Sequence, residues 1–410
     1  MLKKYKPKVI AVTGSVGKTG TKDAIYTVVS NFAHARKSDK SFNSEIGVPL
    51  TILGLPNAWS SFWGWFENIG EGFLLPWRNV TYPEWLILEV GVDRPGDIHK
   101  LKWLAPHVVV FTQFPDVPVH VEYFDSPDDV TKEKRSLKES LQEKGTLIVN
   151  ADDPKMANEE VGERQHKFSY GFADHAMVKG YDYKIEYEDE LPVGISCNVQ
   201  FQQRTEQLRI EDMLGRHYLY PALAALAVVA SEGKMFNDAA NSFAFHQLAP
   251  GRMRLLKGVN GSVIVDDTYN SSPVAVEAGL NAITSVQTKG KKIVVLGDML
   301  ELGDFSVEQH RAIGQIVGSA ADMFIAVGVR MLGAAQGALS AQARCTRVES
   351  FKNSSDALRI LKDNIEEGDL VFIKGSQGMR MERVVENVLL EPQSAVKYLC
   401  RQDPHWKKIV

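Results

Sequence analysis

Residues 8–32, KVIAVTGSVGKTGTKDAIYTVVSNF, decide how the first half of this chain folds. KVIAVT is a short continuous run of apolar and β-branched residues, the pattern of a strand buried on both faces. TKDAIYTVVSNF, which follows, carries its apolar residues at amphipathic helical spacing. Between them stands Gly14-Ser15-Val16-Gly17-Lys18-Thr19. Strand, glycine-rich turn and helix together are the context of a phosphate-binding loop. The glycines let backbone N–H groups curl around phosphate oxygens, and the helix N-terminus adds partial positive charge. Lys18 is then placed to neutralise β- and γ-phosphate charge, and Thr19 to offer a hydroxyl to Mg2+. Gly14, Ser15, Gly17, Lys18, Thr19 and Gly20 are the ATP-binding candidates of this stretch. The strict pattern G-x4-G-K-[ST] asks for glycine at residue 12, where the chain has Val12, so it is not met.

Working outward, runs of the same kind recur at 85–91, 107–113 and 146–152, and again at 262–270, 292–299, 323–328 and 370–376. Apolar strands alternating with helix-like stretches predict an α/β fold with parallel sheets covered on both faces. Each run ends in glycine, aspartate or another polar residue at its carboxyl end, the edge at which such sheets bind ligands. Glu89 lies inside one run, WLILEVG, where an ionised carboxylate needs a cation or a basic partner. Residues 180–211 read differently, because ISCNVQFQQ alternates apolar and polar residues as a half-exposed antiparallel strand does. An alanine-rich helix is expected at 221–230. The boundary expected near 245–250 divides the chain into a domain at 1–247 and a second at 248–410.

The 410 residues are enough for two or three domains, and 44% hydrophobic residues exclude global disorder. The formal charge of −4 gives no reason to expect a nucleic-acid partner held by bulk electrostatics. Three widely spaced cysteines form neither a metal knuckle nor a disulfide framework. With no signal-like amino terminus and no long apolar stretch, a cytoplasmic protein without a transmembrane segment is expected. Residues 58–77 hold four of the seven tryptophans. They read as a helix and loop packed on the first domain. The sharper reading is an interfacial or substrate-gripping segment capable of peripheral membrane contact.

Taken in order, the motifs AVTGSVGKTGTK (11–22), NSEIGVPLTIL (43–53), LEVGVDRPGDI (88–98), HVEYFDS (120–126) and KEK (132–134) resemble the Mur ligase family. So do VNADDP (149–154), GRHYLYPALAAL (215–226), PGRMR (250–254), DDTYNSSP (266–273), VLGDMLELGDFSVEQH (295–310) and KGSQGMRME (374–382), which point to its D-alanyl-D-alanine-adding branch. The resemblance implies a P-loop central domain with a small antiparallel β part, followed by a Rossmann-like carboxyl-terminal domain. It implies an ATP-dependent amide ligase of peptidoglycan precursor synthesis, working through an acyl phosphate. By motif, Lys18 grips phosphates, Thr19 and Glu89 hold a first Mg2+, and His120 serves a second. Lys134 matches the lysine that these enzymes carbamoylate, with Lys132 next in line. Arg252 and Asp267 match nucleotide-side residues. Asn270, Asp298, His310, Lys374 and Ser376 are candidates for the amine substrate, although His310 reads equally well as a helix-face histidine.

Three departures shape the expectation. The chain begins at the phosphate-loop strand, so the family's UDP-binding domain has no counterpart and a protein partner could supply that function. The family pattern H-N-x-x-N reads His217-Tyr218-Leu219-Tyr220-Pro221, which removes both asparagines of an adenine contact. The stretch 54–84 is longer and more aromatic than usual. Two alternatives therefore stand beside the active ligase. One is a nucleotide-binding subunit or scaffold working only with a partner. The other is a ligase for a different, lipid-linked or folate-type carboxylate.

Overall fold

The protein is described by a computed structural model covering residues 1–39, 42–58, 61–116, 123–157, 159–246, 248–341 and 343–408. The first sheet contains β1 (Lys8–Thr13), β2 (Ala35–Lys37), β3 (Trp85–Glu89), β4 (Val108–Phe111), β5 (Thr146–Asn150), β6 (His166–Gly171), β7 (Val178–Glu188), β8 (Leu191–Phe201) and β9 (Arg204–Glu211). Their spatial order is β2-β3-β1-β4-β5-β6-β7-β8-β9, and pairing is parallel from β2 to β7. Two-residue turns join β7 to β8 and β8 to β9. Asp189 and Glu190 of the first turn both have positive φ, as a tight hairpin demands.

The register of the central strands sets up the chemistry. Val12 of β1 lies opposite Glu89 of β3, and Thr13 lies opposite Phe111 of β4. The loop after β1 and the carboxylate ending β3 therefore emerge side by side at the carboxyl edge. Val9, Ala11, Leu86, Leu88, Val109, Phe111 and Leu147 fill the core beneath that edge. On another side of the sheet the helix Lys18–Val29 packs against the apolar helix Leu219–Ser231.

The second sheet contains β10 (Arg254–Lys257), β11 (Val263–Asp267), β12 (Lys292–Gly297), β13 (Met323–Val327), β14 (Arg347–Phe351) and β15 (Leu370–Lys374). Its order is β10-β11-β15-β12-β13-β14, with only the edge strand β10 antiparallel. Side chains alternate between two cores. Val265, Val294, Leu296, Phe324 and Phe372 enter one, while Ile264, Ile293, Val295, Ile325 and Ile373 enter the other. That two-sided burial is why these strands are apolar at every position rather than at alternate ones.

By the grouping of its contacts the chain divides into two compact units. The first comprises 1–182, 197–208 and 219–247; the second comprises 183–196, 209–218 and 248–410. The long strands β7–β9 are thus shared, each contributing part of its length to either unit. Among the described residues no helix is long and apolar enough to cross a membrane.

Candidate active site

The glycine-rich loop has the backbone its sequence requires. Gly14 (φ 145°) and Gly17 (φ 87°) adopt conformations that side chains disfavour. A Cβ on Gly14 would come within 2.0 Å of Thr112 Oγ1, so only glycine lets the loop lie this close to the end of β4. Ser15 and Val16 donate their N–H groups to the Gln113 carbonyl at 2.8 and 3.3 Å. Lys18 curls back to donate to the carbonyl of Gly14 at 3.0 Å. Gly20 lies in the first turn of the helix, and an added Cβ there would meet Pro221 at 3.3 Å.

Glu89 is the buried carboxylate at this edge, 2% exposed. Thr19 Oγ1 donates to its Oε2 at 2.9 Å and Asn43 Nδ2 to its Oε1 at 3.3 Å. The buried Lys22 ammonium lies 4.0 Å from the same carboxylate and donates to the Ser38 carbonyl at 2.8 Å. Thr19 and Glu89, joined by a hydrogen bond, are hard oxygen donors of the kind Mg2+ prefers.

Lys134 comes to the loop from the opposite direction. Its helix, Pro127–Arg135, opens with the Ser126 side chain accepting from Asp129 N–H and with Pro127 in the first turn. Lys132 on that helix is exposed, whereas Lys134 is 1% exposed and its ammonium donates to Ser15 Oγ at 3.0 Å. Burial, aided by the nearby Lys18 charge and opposed by Asp93, lowers its pKa to about 7. The amine is therefore substantially neutral near physiological pH. His120 lies outside the described residues. A cleft of about 300 Å3 lined by Asn43, Glu45, Gly91, Asp93, Arg94 and Lys100 adjoins this edge through Asn43.

The second unit carries its own polar network. Lys374, at the end of β15, donates to Asp267 Oδ2 at 2.5 Å and to the Asn270 carbonyl at 2.9 Å. Asp267 Oδ1 accepts from Tyr218 OH and from Met253 N–H, each at 3.2 Å. Arg252 stacks on the Tyr269 ring, 4.2 Å from its centroid. Asn270 is exposed. Asp298 accepts from Met331 N–H at 2.8 Å, and Ser376 Oγ accepts from Leu300 N–H at 2.9 Å. His310 is fully buried; its Nε2 accepts from Met299 N–H at 3.1 Å and its Nδ1 lies 2.6 Å from the Ser306 carbonyl. Both ring nitrogens are thus committed to backbone, and Asp298, Ser376 and His310 together pin the turn after β12. Tyr218 stands where the resemblance expects an asparagine and spends its hydroxyl on Asp267. Tyr220 donates to Asp152 at 2.6 Å within the first unit. Sequence reading passed over Asn43, Lys22 and Asp152. Each lies within a quoted motif, Lys22 at the end of AVTGSVGKTGTK, Asn43 at the start of NSEIGVPLTIL and Asp152 inside VNADDP, and the motifs were the signal that could have found them.

Comparison with known proteins agrees with this geometry. The Mur ligase middle domain matches residues 74–229, and the Mur ligase glutamate ligase domain matches 251–377. The UDP-N-acetylmuramoyl-tripeptide–D-alanyl-D-alanine ligase of Bacillus subtilis is 31% identical over 389 residues, spanning 94% of this chain and 77% of that protein. The chain belongs to the Mur ligase family. Mur ligases form C–N bonds with cleavage of ATP, so this Mur ligase is an ATP-dependent ligase. Its fold matches the crystal structure of MurF ligase from Thermotoga maritima in complex with ADP, with a TM-score of 0.75 and 23% identity over 94% of this chain and 80% of that one. MurF from Acinetobacter baumannii matches equally, at a TM-score of 0.75 and 23% identity over 93% of this chain and 76% of that one.

Proposed function

We propose that this Mur ligase joins an amine of the D-alanyl-D-alanine type to the carboxylate of a peptidoglycan precursor of the UDP-N-acetylmuramoyl-tripeptide type, in the cytoplasm. The observation that carries the reading is the convergence of Thr19, Glu89 and the buried amine of Lys134 on one glycine-rich loop. In the first step a carboxylate oxygen attacks the γ-phosphorus of ATP, the bond to the β,γ-bridging oxygen breaks, and ADP leaves. In the second, the amine nitrogen attacks the acyl carbon, phosphate leaves with its oxygen, and one amine proton passes to solvent. Both steps are governed by positioning and charge neutralisation. Loop N–H groups and Lys18 hold the phosphates, and Arg94 lines the cleft beside Asn43, in which Lys100 is paired with Glu45 and Asp97.

Mg2+ held by Thr19 and Glu89 would supply further charge neutralisation when bound. Lys134 is suited to carbamoylation because only a neutral amine adds to CO2. A nitrogen–carbon bond forms and the neutral amine loses one N–H proton, so that it becomes an anionic carbamate. His120 is the proposed partner of that anion at a second metal. In the other unit we assign Asp267 and Arg252 to the nucleotide side of the reaction and Asn270 to the amine substrate. Lys374 holds Asp267 in place, while Asp298, Ser376 and His310 shape the turn that borders the amine. The test is phosphate release with UDP-N-acetylmuramoyl-tripeptide and D-alanyl-D-alanine, with the amide product identified by mass spectrometry. Release that requires both substrates supports the reading. Tight ADP binding without amine-dependent release over a panel of carboxylates would sink it in favour of a nucleotide-binding scaffold.

A further inference from the structure

The segment 61–77 has a feature the ligase chemistry leaves unused. Ser61 caps the helix Phe62–Leu74, its side chain accepting from Gly64 N–H, and a short turn Leu75–Trp77 continues it. Asn68 is the buried residue of this helix, anchored by its amide donating to the Pro56 carbonyl at 2.8 Å. A Cβ on Gly72 would meet Leu53 at 3.5 Å, so the helix rests on a narrow face built around Asn68 and Gly72. Phe62, Phe66, Ile69 and Phe73 follow one another at i, i+4, i+7 and i+11 on the opposite face, and all point to solvent. Trp63 flanks the stripe, with its ring edge-on to both Phe62 and Phe66, and Trp77 extends it at 87% exposure. A helix of a globular protein ordinarily turns such a stripe inward; here the apolar face is the outer one.

Charge completes the pattern. The amino-terminal segment docks at the far end of the stripe, where Lys4 donates to the carbonyls of Pro76 and Arg78, and Tyr5 to that of Arg78. Lys3 and Lys6, both exposed, belong to the same segment that contacts Pro76 and Arg78. The chain as a whole is acidic, at −4, so this basic cluster is a local departure. Aromatic and aliphatic side chains on one face, with lysines at its margin, are the chemistry of a helix lying in the headgroup region of a negatively charged bilayer.

We infer that the helix Phe62–Leu74 seats this protein on the surface of an anionic lipid bilayer. The inference is independent of the ligase reading, since vesicle binding needs no substrate. The experiment is flotation of the full chain with phosphatidylcholine vesicles, with and without phosphatidylglycerol, alongside tryptophan fluorescence. The expected result is flotation and a blue shift with the anionic vesicles alone. Phe66→Glu with Phe73→Glu should lower the bound fraction about tenfold or more, and Lys3→Glu with Lys6→Glu should also lower it. Val307→Glu, at an exposed apolar position of the second unit, should leave it unchanged. Circular dichroism of all variants should match the parent, because every changed side chain is solvent-facing. Failure to float with anionic vesicles overturns the inference, as does equal flotation with neutral ones. A concentration-dependent doubling of mass, abolished by Phe66→Glu with Phe73→Glu in place of vesicle binding, overturns it in favour of a second copy of the chain.

Discussion

Lys134 shows how far one side chain's surroundings determine its chemistry. Its amine is held near 7 by burial, against about 10.4 in an unfolded chain. Between those values the unfolded chain binds more protons. This residue's contribution to stability therefore rises with pH from about 7 to 10 and is lost as pH falls toward 7. Capture of the neutral amine by CO2 would act as ligand binding to the folded state alone. Bicarbonate at pH 8 should therefore raise the melting temperature of the parent, by roughly 2–4 °C for each kcal/mol of binding linkage. Lys134→Met should be insensitive to bicarbonate and should lose turnover by about a thousandfold or more. An identical bicarbonate response in both proteins would remove the carbamate from the proposal. From sequence alone Lys134 was one charge among many in KEKRSLKESLQEK, and only the family resemblance singled it out. Nothing local distinguishes the buried Lys134 from the exposed Lys132, because burial is decided by what the helix packs against. His310 illustrates the same limit, since its two backbone partners are invisible until the turn after β12 is seen.

At the level of elements, the phosphate loop is held by steric exclusion as much as by hydrogen bonds. Gly14→Ala would force a methyl group onto Thr112 in a backbone conformation that alanine avoids. The expected cost is about 2–4 kcal/mol of stability together with loss of ADP binding, read by thermal melting and calorimetry. A variant that binds ADP as the parent does would show that the loop can rearrange. The strands beneath this loop were legible because they are buried on both faces and therefore apolar throughout. β2, β6, β10 and β14 were not; β2, β10 and β14 lie at sheet edges, and β6, HKFSYG, is only partly buried along most of its length despite its internal place. An edge strand such as Ala35–Lys37, made of ARK, has solvent on one side and needs no apolar run to keep its place. The helix Phe62–Leu74 was half legible: its tryptophans drew notice, but composition does not say which face turns outward.

On the scale of the whole molecule, buried histidines set the response to acid. Burial lowers His217 to about 3, His246 to about 4, and His310 below its ordinary value. Below about pH 6.5 the unfolded chain takes up protons that these folded-state imidazoles refuse, so stability falls on acidification. The urea midpoint is expected to drop steadily between pH 7 and pH 5, and a flat profile over that range would contradict the assignment. The shared strands β7–β9 have a different kind of consequence. Because 183–196 and 209–218 group with the second unit, the polypeptide passes from one unit to the other five times before reaching its end. Leu214 and Ile185, which pack in the second unit's core, are encoded upstream of residue 247. A single cut near residue 247 would therefore leave these core residues of the second unit on the first fragment. The two units of this enzyme are woven from one thread rather than strung along it.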